Sequence, residues 1–238
     1  MNQQVKFCVR VHQGGYSFED LKRIWTTADR LGYHSGSLYD LLNVPTLECW
    51  STLCALAAVT HRIRLIPMVL ANAYRPAPLL AKMSSTLDVI SGGRLELGIG
   101  AGGGRGDHLA SGIPFPSVRE RMAMLGESVQ VIKRLWTEPK VDFEGKFYTL
   151  KGASNEPRPV QHPHPPILIG GHGERHVLRG VAAHADMCNI GNGMSVEEHH
   201  AKLDILAQYC LELGRDPSEI EVTHNTRVLI ADSDAELE

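Results

Sequence analysis

The sequence predicts an α/β fold, a (β/α)8 TIM barrel lacking its last strand and helix, and three observations carry that prediction. Short β-rich segments alternate with amphipathic helical segments along 238 residues, the pattern of a parallel sheet covered by helices. Seven strand regions are found, close to the eight of a closed barrel, which typically takes ~250 residues. Finally, Gly-x-Gly-x-x-Gly does not follow the first strand, where an open dinucleotide-binding sheet would place it.

Each element follows from a local pattern. Residues 5–11 alternate apolar and charged positions before the breaker pair Gly14-Gly15 and predict the first strand. Ser17 caps a helix over Phe18–Leu31, in which Leu21, Ile24, Trp25, Ala28 and Leu31 recur at helical spacing until Gly32 stops it. A short strand at 35–39, a helix from about 47 to 60 and a β-rich run at 63–70 continue the series. Pro78 opens a third helix carrying Leu79, Leu80, Met83, Leu87 and Ile90; Ser91-Gly92-Gly93 turns the chain, and 94–99 returns as a fourth strand.

Beyond the glycine-rich stretch 100–106 and the punctuation of Pro114 and Pro116, an amphipathic helix runs over about 118–136. Residues 141–150 alternate as a hairpin around Glu144-Gly145-Lys146. The proline-laden stretch 157–166 cannot be helical and leads into the apolar strand Ile167-Leu168-Ile169. Residues 170–173 open a helix reaching about His184, a strand follows near 186–190, and 195–213 is again amphipathic helix. Residues 220–230 supply a seventh strand region and 231–238 read as the start of a seventh helix. One domain over 1–238 is expected, with a loop, helix and hairpin at about 103–165 inserted into the barrel.

Composition narrows the function classes. Lys and Arg number 24 against 27 Asp and Glu, a net charge of -3, so no basic field exists to attract nucleic acid or an anionic membrane. Small-molecule chemistry is the expectation. Cys8, Cys49, Cys54, Cys188 and Cys210 are scattered without a Cys-x-x-Cys pair, which fits a reducing cytoplasm rather than a disulfide framework or zinc site. The first ten residues carry Lys6 and Arg10 but no apolar core of signal-peptide length, and no hydrophobic run could span a bilayer. His162, His164, His199 and His200 lack ligand company at metal spacing, so no metal site is assigned. Trp25, Trp50 and Trp136 fall on apolar helix faces and are assigned to the core.

The segment Tyr74-Arg75-Pro76-Ala77-Pro78-Leu79-Leu80-Ala81-Lys82, followed by Thr86-Leu87-Asp88-Val89-Ile90-Ser91-Gly92-Gly93-Arg94-Leu95-Glu96-Leu97-Gly98-Ile99-Gly100-Ala101-Gly102, is similar to the signature of the bacterial-luciferase-like oxidoreductases. Further matching segments follow in order: Gly112-Ile113-Pro114-Phe115-Pro116, Leu135-Trp136-Thr137-Glu138, Phe143-Glu144-Gly145, Pro159-Val160-Gln161 and Pro166-Ile167-Leu168-Ile169-Gly170-Gly171-His172-Gly173. Within that superfamily the chain resembles the branch that uses the deazaflavin F420. The resemblance implies a barrel of the bacterial-luciferase type, with F420, or alternatively FMN, across the carboxyl ends of the strands. Hydride would pass between the cofactor's central ring and a small organic substrate.

Site residues follow from the resemblance and from barrel anatomy, which puts chemistry at the carboxyl ends of strands. Gly170, Gly171, His172 and Gly173 lie where a strand meets a helix amino terminus, a phosphate site by virtue of free N–H groups and the helix dipole; the alternative is a tight turn needing glycine. Ala101 and Gly102 belong to a second glycine-rich strand end, either cradle or flexible loop. Met68 and Val69 match the family's bulge, often carrying a non-prolyl cis peptide, that presses on the cofactor ring; otherwise they are buried strand. His12 and Asp40 end the first two strands and are catalytic candidates, Asp40 also a cofactor contact. Asp107 and His108 resemble an acidic-His pair used elsewhere in the family, against an ordinary solvated loop pair. Two positions depart from the family's deazaflavin dehydrogenases: Leu41 stands where a His follows the Asp, and Gly103 where an acid follows the glycines. Three functions compete: an F420-dependent oxidoreductase, an FMNH2-dependent monooxygenase, and a non-catalytic flavin-binding or partner protein. A homodimer is expected, because an open barrel exposes strand edges that a second subunit would cover.

Overall fold

In the computed structural model, which describes residues 5–191, 193–226 and 231–233, seven parallel staves stand around an axis. The first is β1 (Cys8–Arg10), followed by α1 (Phe18–Leu31), β2 (Ser35–Leu38), α2 (Cys49–Val59) and β3 (Arg64–Pro67). The third stave continues after a break as β4 (Leu70–Ala71); then come α3 (Ala77–Ser91), β5 (Leu97–Gly100), a short α4 (Arg105–Ala110) and the long α5 (Val118–Thr137). A hairpin of β6 (Val141–Glu144) and β7 (Thr149–Ala153) precedes β8 (Ile167–Gly170), α6 (Arg179–His184), β9 (Met187–Ile190), α7 (Val196–Glu212) and β10 (Glu221–His224). All stave pairings are parallel, in the order β1-β2-β3 and β4-β5-β8-β9-β10, and a bridge from Leu65 to Leu95 joins the two arcs. Among the described residues β1 and β10 each pair on one side only. Lys6 and Glu221 reach across that opening at 2.9 Å.

Local chemistry accounts for the helices. Ser17 and Asp20 form a capping box on α1, and Gly32 ends it at φ 82°. Ser195 and Glu198 do the same for α7. Asp29, buried near the end of α1, accepts the N–H groups of His61, Arg62 and Ile63 and so fixes the entry to β3. Arg94 donates to the carbonyls of Ala57, Thr60, Ile63 and Ser91, tying the end of α2 to the turn before β5. Helix α5 packs on α3 and carries the crossover from β5 to β8, with Leu125, Val129, Ile132, Leu135 and Trp136 buried. Of the stretch 103–165, the α4 loop and the β6-β7 hairpin are what leave the alternating plan. In the seventh strand region, 221–224 form the strand; 227–230 and 234–238 lie outside the described residues.

Two layers of apolar packing result. Leu65, Leu97, Ile99, Ile167, Ile169, Cys188 and Ile190 point outward into the main core with Trp25, Trp50 and Trp136. Ile66, Met68, Leu168 and Met187 point inward as a separate cluster that Val69 joins. The third stave is broken where expected. Between the pairs Leu65–Leu95 and Leu70–Ile99 it spends one residue more than its neighbour, which is a β-bulge, and the Met68-Val69 peptide there is cis.

Candidate active site

The bulge needs glycine on two neighbouring staves. A Cβ at Gly98 would stand 1.9 Å from the Pro67 carbonyl oxygen, one at Gly100 2.8 Å from a Val69 methyl and one at Gly170 3.0 Å from the other. Val69 therefore sits at the carboxyl ends of β5 and β8 with backbone on both sides. From this point the chain after β8 runs through Gly171, at φ 129°, into one turn of π-helix at Glu174–Leu178 that continues into α6. Gly171 donates to the Asn189 carbonyl at 3.0 Å. Among the described residues the N–H groups of His172, Gly173, Glu174 and Arg175 donate to no backbone carbonyl. They form an anion-ready turn beside the bulge.

The first stave ends in His12, whose Nδ1 accepts the Gly14 N–H at 3.1 Å and whose ring lies 5.2 Å from that of Tyr39. Neutral imidazole with an accepting Nδ1 carries its proton on Nε2. His12 is exposed and so presents that N–H at the mouth. Beside it Gln13 clasps the second stave, donating to the Tyr39 carbonyl at 2.8 Å while accepting the Tyr39 N–H at 2.9 Å.

Asp40 is placed at the mouth but is fully engaged. Its side chain is 1% exposed; Oδ2 accepts the Ala71 N–H and an Arg75 nitrogen, both at 2.9 Å, and Oδ1 a second Arg75 nitrogen at 3.0 Å. Arg75 also binds Glu48 at 2.7 Å, and Glu48 caps α2. The cluster anchors the loop that leaves the bulge.

His108 and Asp107 separate. His108 is buried, its Nδ1 donating to the Gly104 carbonyl at 2.9 Å, its ring between Tyr74 at 4.9 Å and Phe115 at 4.8 Å. Its Nε2 has no partner among the described residues and faces Gly102, where a Cβ would come within 2.9 Å of it. Arg121 holds this loop from below, donating to the Ala101 and Pro116 carbonyls and covering the Phe115 ring at 3.8 Å. Asp107 stays partly exposed, and its backbone carbonyl accepts from Asn43 at 3.0 Å, which joins the β2 and β5 loops over the mouth. Burial raises the Tyr74 phenol above its usual range, with Asp107 and Asp40 adding to the effect.

Burial pushes the Cys188 thiol up to about 12 and raises those of Cys49 and Cys54. Among the described residues no group of three or more His, Cys, Asp or Glu side chains is arranged to hold a metal, and no helix is long and apolar enough to cross a membrane. Sequence patterns located the strand ends but not the Gln13 clasp, the Asn43 tie or the Tyr74–His108–Phe115 stack, all of which join residues distant in the chain.

A parallel barrel with a bulged third stave, two glycine-rich strand ends and a turn of free amide groups gathers these features at the carboxyl ends of the strands, the face on which barrels of this class carry their chemistry. Residues 4–238 match the luciferase-like monooxygenase family, and the chain belongs to that family. It is 30% identical over 182 residues to the FMNH(2)-dependent dimethylsulfone monooxygenase of Pseudomonas putida, covering 76% of this chain and 48% of that one. It is 36% identical over 168 residues to the F420-dependent glucose-6-phosphate dehydrogenase of Kineococcus radiotolerans, covering 70% and 49%. The chain thus spans about half the length of these relatives. Among solved structures, the F420-dependent tetrahydromethanopterin reductase of Methanopyrus kandleri superposes with a TM-score of 0.84 at 22% identity, covering 94% of this chain and 66% of that one. The fold is the luciferase-like TIM barrel, shorter here than in such neighbours.

Proposed function

We propose that this chain is an F420-dependent oxidoreductase that transfers a hydride between the deazaflavin and a small organic substrate. The observation that carries the reading is the Val69 bulge, seated on Gly98, Gly100 and Gly170 beside free amide groups at 172–175. Such a place accepts a flat ring against backbone and a phosphate against N–H groups. When bound, the cofactor supplies the hydride chemistry. The chain's own residues orient and protonate. Gly170, Gly171, His172 and Gly173 hold the phosphate, Met68 and Val69 support the ring, and Ala101 and Gly102 line its edge. Asp40, through Arg75 and Ala71, keeps the bulge loop in place. His12 offers its Nε2 proton to a substrate oxygen. Asp107 and His108 hold the loop that closes over the cofactor.

The relative naming F420 supports the deazaflavin. A second reading, an FMNH2-dependent monooxygenase, is supported by the other relative and by Leu41 and Gly103 at positions where the deazaflavin dehydrogenases carry a His and an acid. Fluorescence titration of the purified protein with F420 and with FMN decides between them. Tighter F420 binding is expected. Tighter FMN binding with oxygen uptake would establish the second reading, binding without turnover on enones, alcohols and imines would mark a non-catalytic protein, and no binding of either would overturn all three. We also read the protein as a cytoplasmic homodimer, with the exposed Val5, Phe7, Leu31 and Val222 as surface for a second subunit. Sedimentation at twice the chain mass would bear this out.

A further inference from the structure

Among the described residues, one cation on the inner wall of the barrel, the part-buried Arg10, has no counter-charge. In β1 Val9 points outward against Ile24 and Ala28 of α1, so its neighbours Cys8 and Arg10 point inward. In β2 Gly36 faces outward onto Trp25, and Ser35 and Ser37 point inward. The other charges of this inner wall have ion-pair partners: Glu96 is bound through Oε1 by Arg64 with His34 at 3.6 Å, while its Oε2 accepts no hydrogen bond among the described residues, Glu221 is bound by Lys6 at 2.9 Å, and Asp40 by Arg75. Arg10 forms no ion pair among the described residues. Its guanidinium carbon lies over the Tyr39 ring, 4.4 Å from the centroid, and its Nε is shut off from solvent with no acceptor among the described residues.

Arg10 and Ser37 are register partners on adjacent strands, and the buried Ser37 hydroxyl has the Cys8 thiol beside it but makes no hydrogen bond of good geometry among the described residues. A cationic donor without an acceptor thus stands beside a hydroxyl whose near neighbour is only a thiol. A guanidinium Nε–H left without an acceptor in such a place costs free energy that a bound oxyanion would recover. Above them the His12 and Tyr39 rings connect this spot to the mouth. One guanidinium and one hydroxyl balance a single negative charge, which fits a carboxylate better than a phosphate dianion.

We propose that Arg10, assisted by Ser37, binds the carboxylate of a small organic acid inside the barrel, and that the substrate is such an acid. The choice of substrate class rests on the function proposed above. The binding itself does not, and it is measured without cofactor, so either reading can fail while the other stands. The probes are benzoate and its neutral isostere benzamide, titrated into the full chain by calorimetry. Benzoate is expected to bind about tenfold or more tightly than benzamide, the range of a hydrogen bond to a charged group. Arg10→Gln should abolish that preference, Arg10→Lys should retain part of it, and Ser37→Ala should weaken benzoate about threefold. Should Arg10→Gln not fold, the Arg10 Nε–H resonance of the unmodified protein serves instead, and it is expected to shift with benzoate and stay still with benzamide. Equal affinity for the two probes, a preference that survives Arg10→Gln, or an unmoved Nε–H resonance would each overturn the proposal.

Discussion

The two sides of the barrel wall are built by different means. On the side of β3, β8 and β9, the lumen is filled by Ile66, Met68, Leu168 and Met187, each less than a tenth exposed, on strands paired along both edges. On the side of β1, β2 and β10, the inward residues are Cys8, Arg10, Ser35, Ser37, Glu221 and Thr223, and the two outer strands are paired along one edge. The apolar side closes on itself through dispersion and close backbone approach. The polar side leaves donors unsatisfied, a cost in stability that the rest of the fold carries. Stability should therefore concentrate on one side of the wall and ligand selectivity on the other.

The strongest way to break that contrast is Gly98→Ala. The new methyl group would stand 1.9 Å from the Pro67 carbonyl oxygen, and backbone rather than a flexible side chain would have to yield. Overpacking usually costs about 1 to 3 kcal/mol; because β3, the bulge and β5 must all shift, the expected loss here is above about 4 kcal/mol, in the range reserved for severe disruptions. Urea denaturation checks it. A midpoint near that of the unmodified protein would mean that the bulge is not held by this approach.

Next comes Leu168→Ala. Leu168 is fully buried in the lumen among Ile66, Met68 and Met187, and truncation leaves a cavity worth about 3 kcal/mol. The same measurement applies. A loss below about 1 kcal/mol would show that the apolar side is no better packed than the polar one.

The contrast between the sides also explains what was legible in the sequence. The alternating strands and helices, the Ser17 cap, the Gly32 stop and the bulge at Met68 and Val69 all follow from local patterns or a family-like string, and each stands where expected. Strand polarity was harder. The apolar–charged alternation through Lys6 and Arg10 predicts a strand but not which way its faces turn, and the charged face of β1 turns to the lumen beside the opening, where Cys8 is exposed and Arg10 part-exposed. Asp40 and His108 were legible as polar residues near strand ends, but not as residues already occupied by Arg75 and by the Gly104 carbonyl. Those contacts depend on which distant side chains the closing barrel brings together, and no local period encodes that.

Asp29 joins the two sides from outside, because α1 covers β1 and β2 while the N–H groups it accepts lead into β3. Burial pushes its carboxyl upward, but the bonds from His61, Ile63 and Arg62 outweigh that and leave its pKa below the ordinary value. A depressed folded-state pKa contributes stability that is complete above the unfolded value of about 3.9 and is lost as pH falls through the folded value. Asp29→Asn should cost about 2 kcal/mol at neutral pH, with the difference from the unmodified protein shrinking as the pH is lowered below about 4. Denaturation midpoints for both proteins across that range test the sign, and a gap that widened on acidification would contradict it.

The smallest effect is expected from Ser37→Ala without ligand. The hydroxyl is buried with the Cys8 thiol beside it and makes no hydrogen bond of good geometry among the described residues, so its removal takes away a poorly satisfied polar group while leaving almost the same volume. The two terms nearly cancel, and the stability should change by less than about 0.5 kcal/mol, far less than the cost of Leu168→Ala three strands away on the inner wall. A loss above about 1 kcal/mol would mean that the hydroxyl already has a bound partner such as an ordered water, and the polar side would then be as fully satisfied as the apolar one.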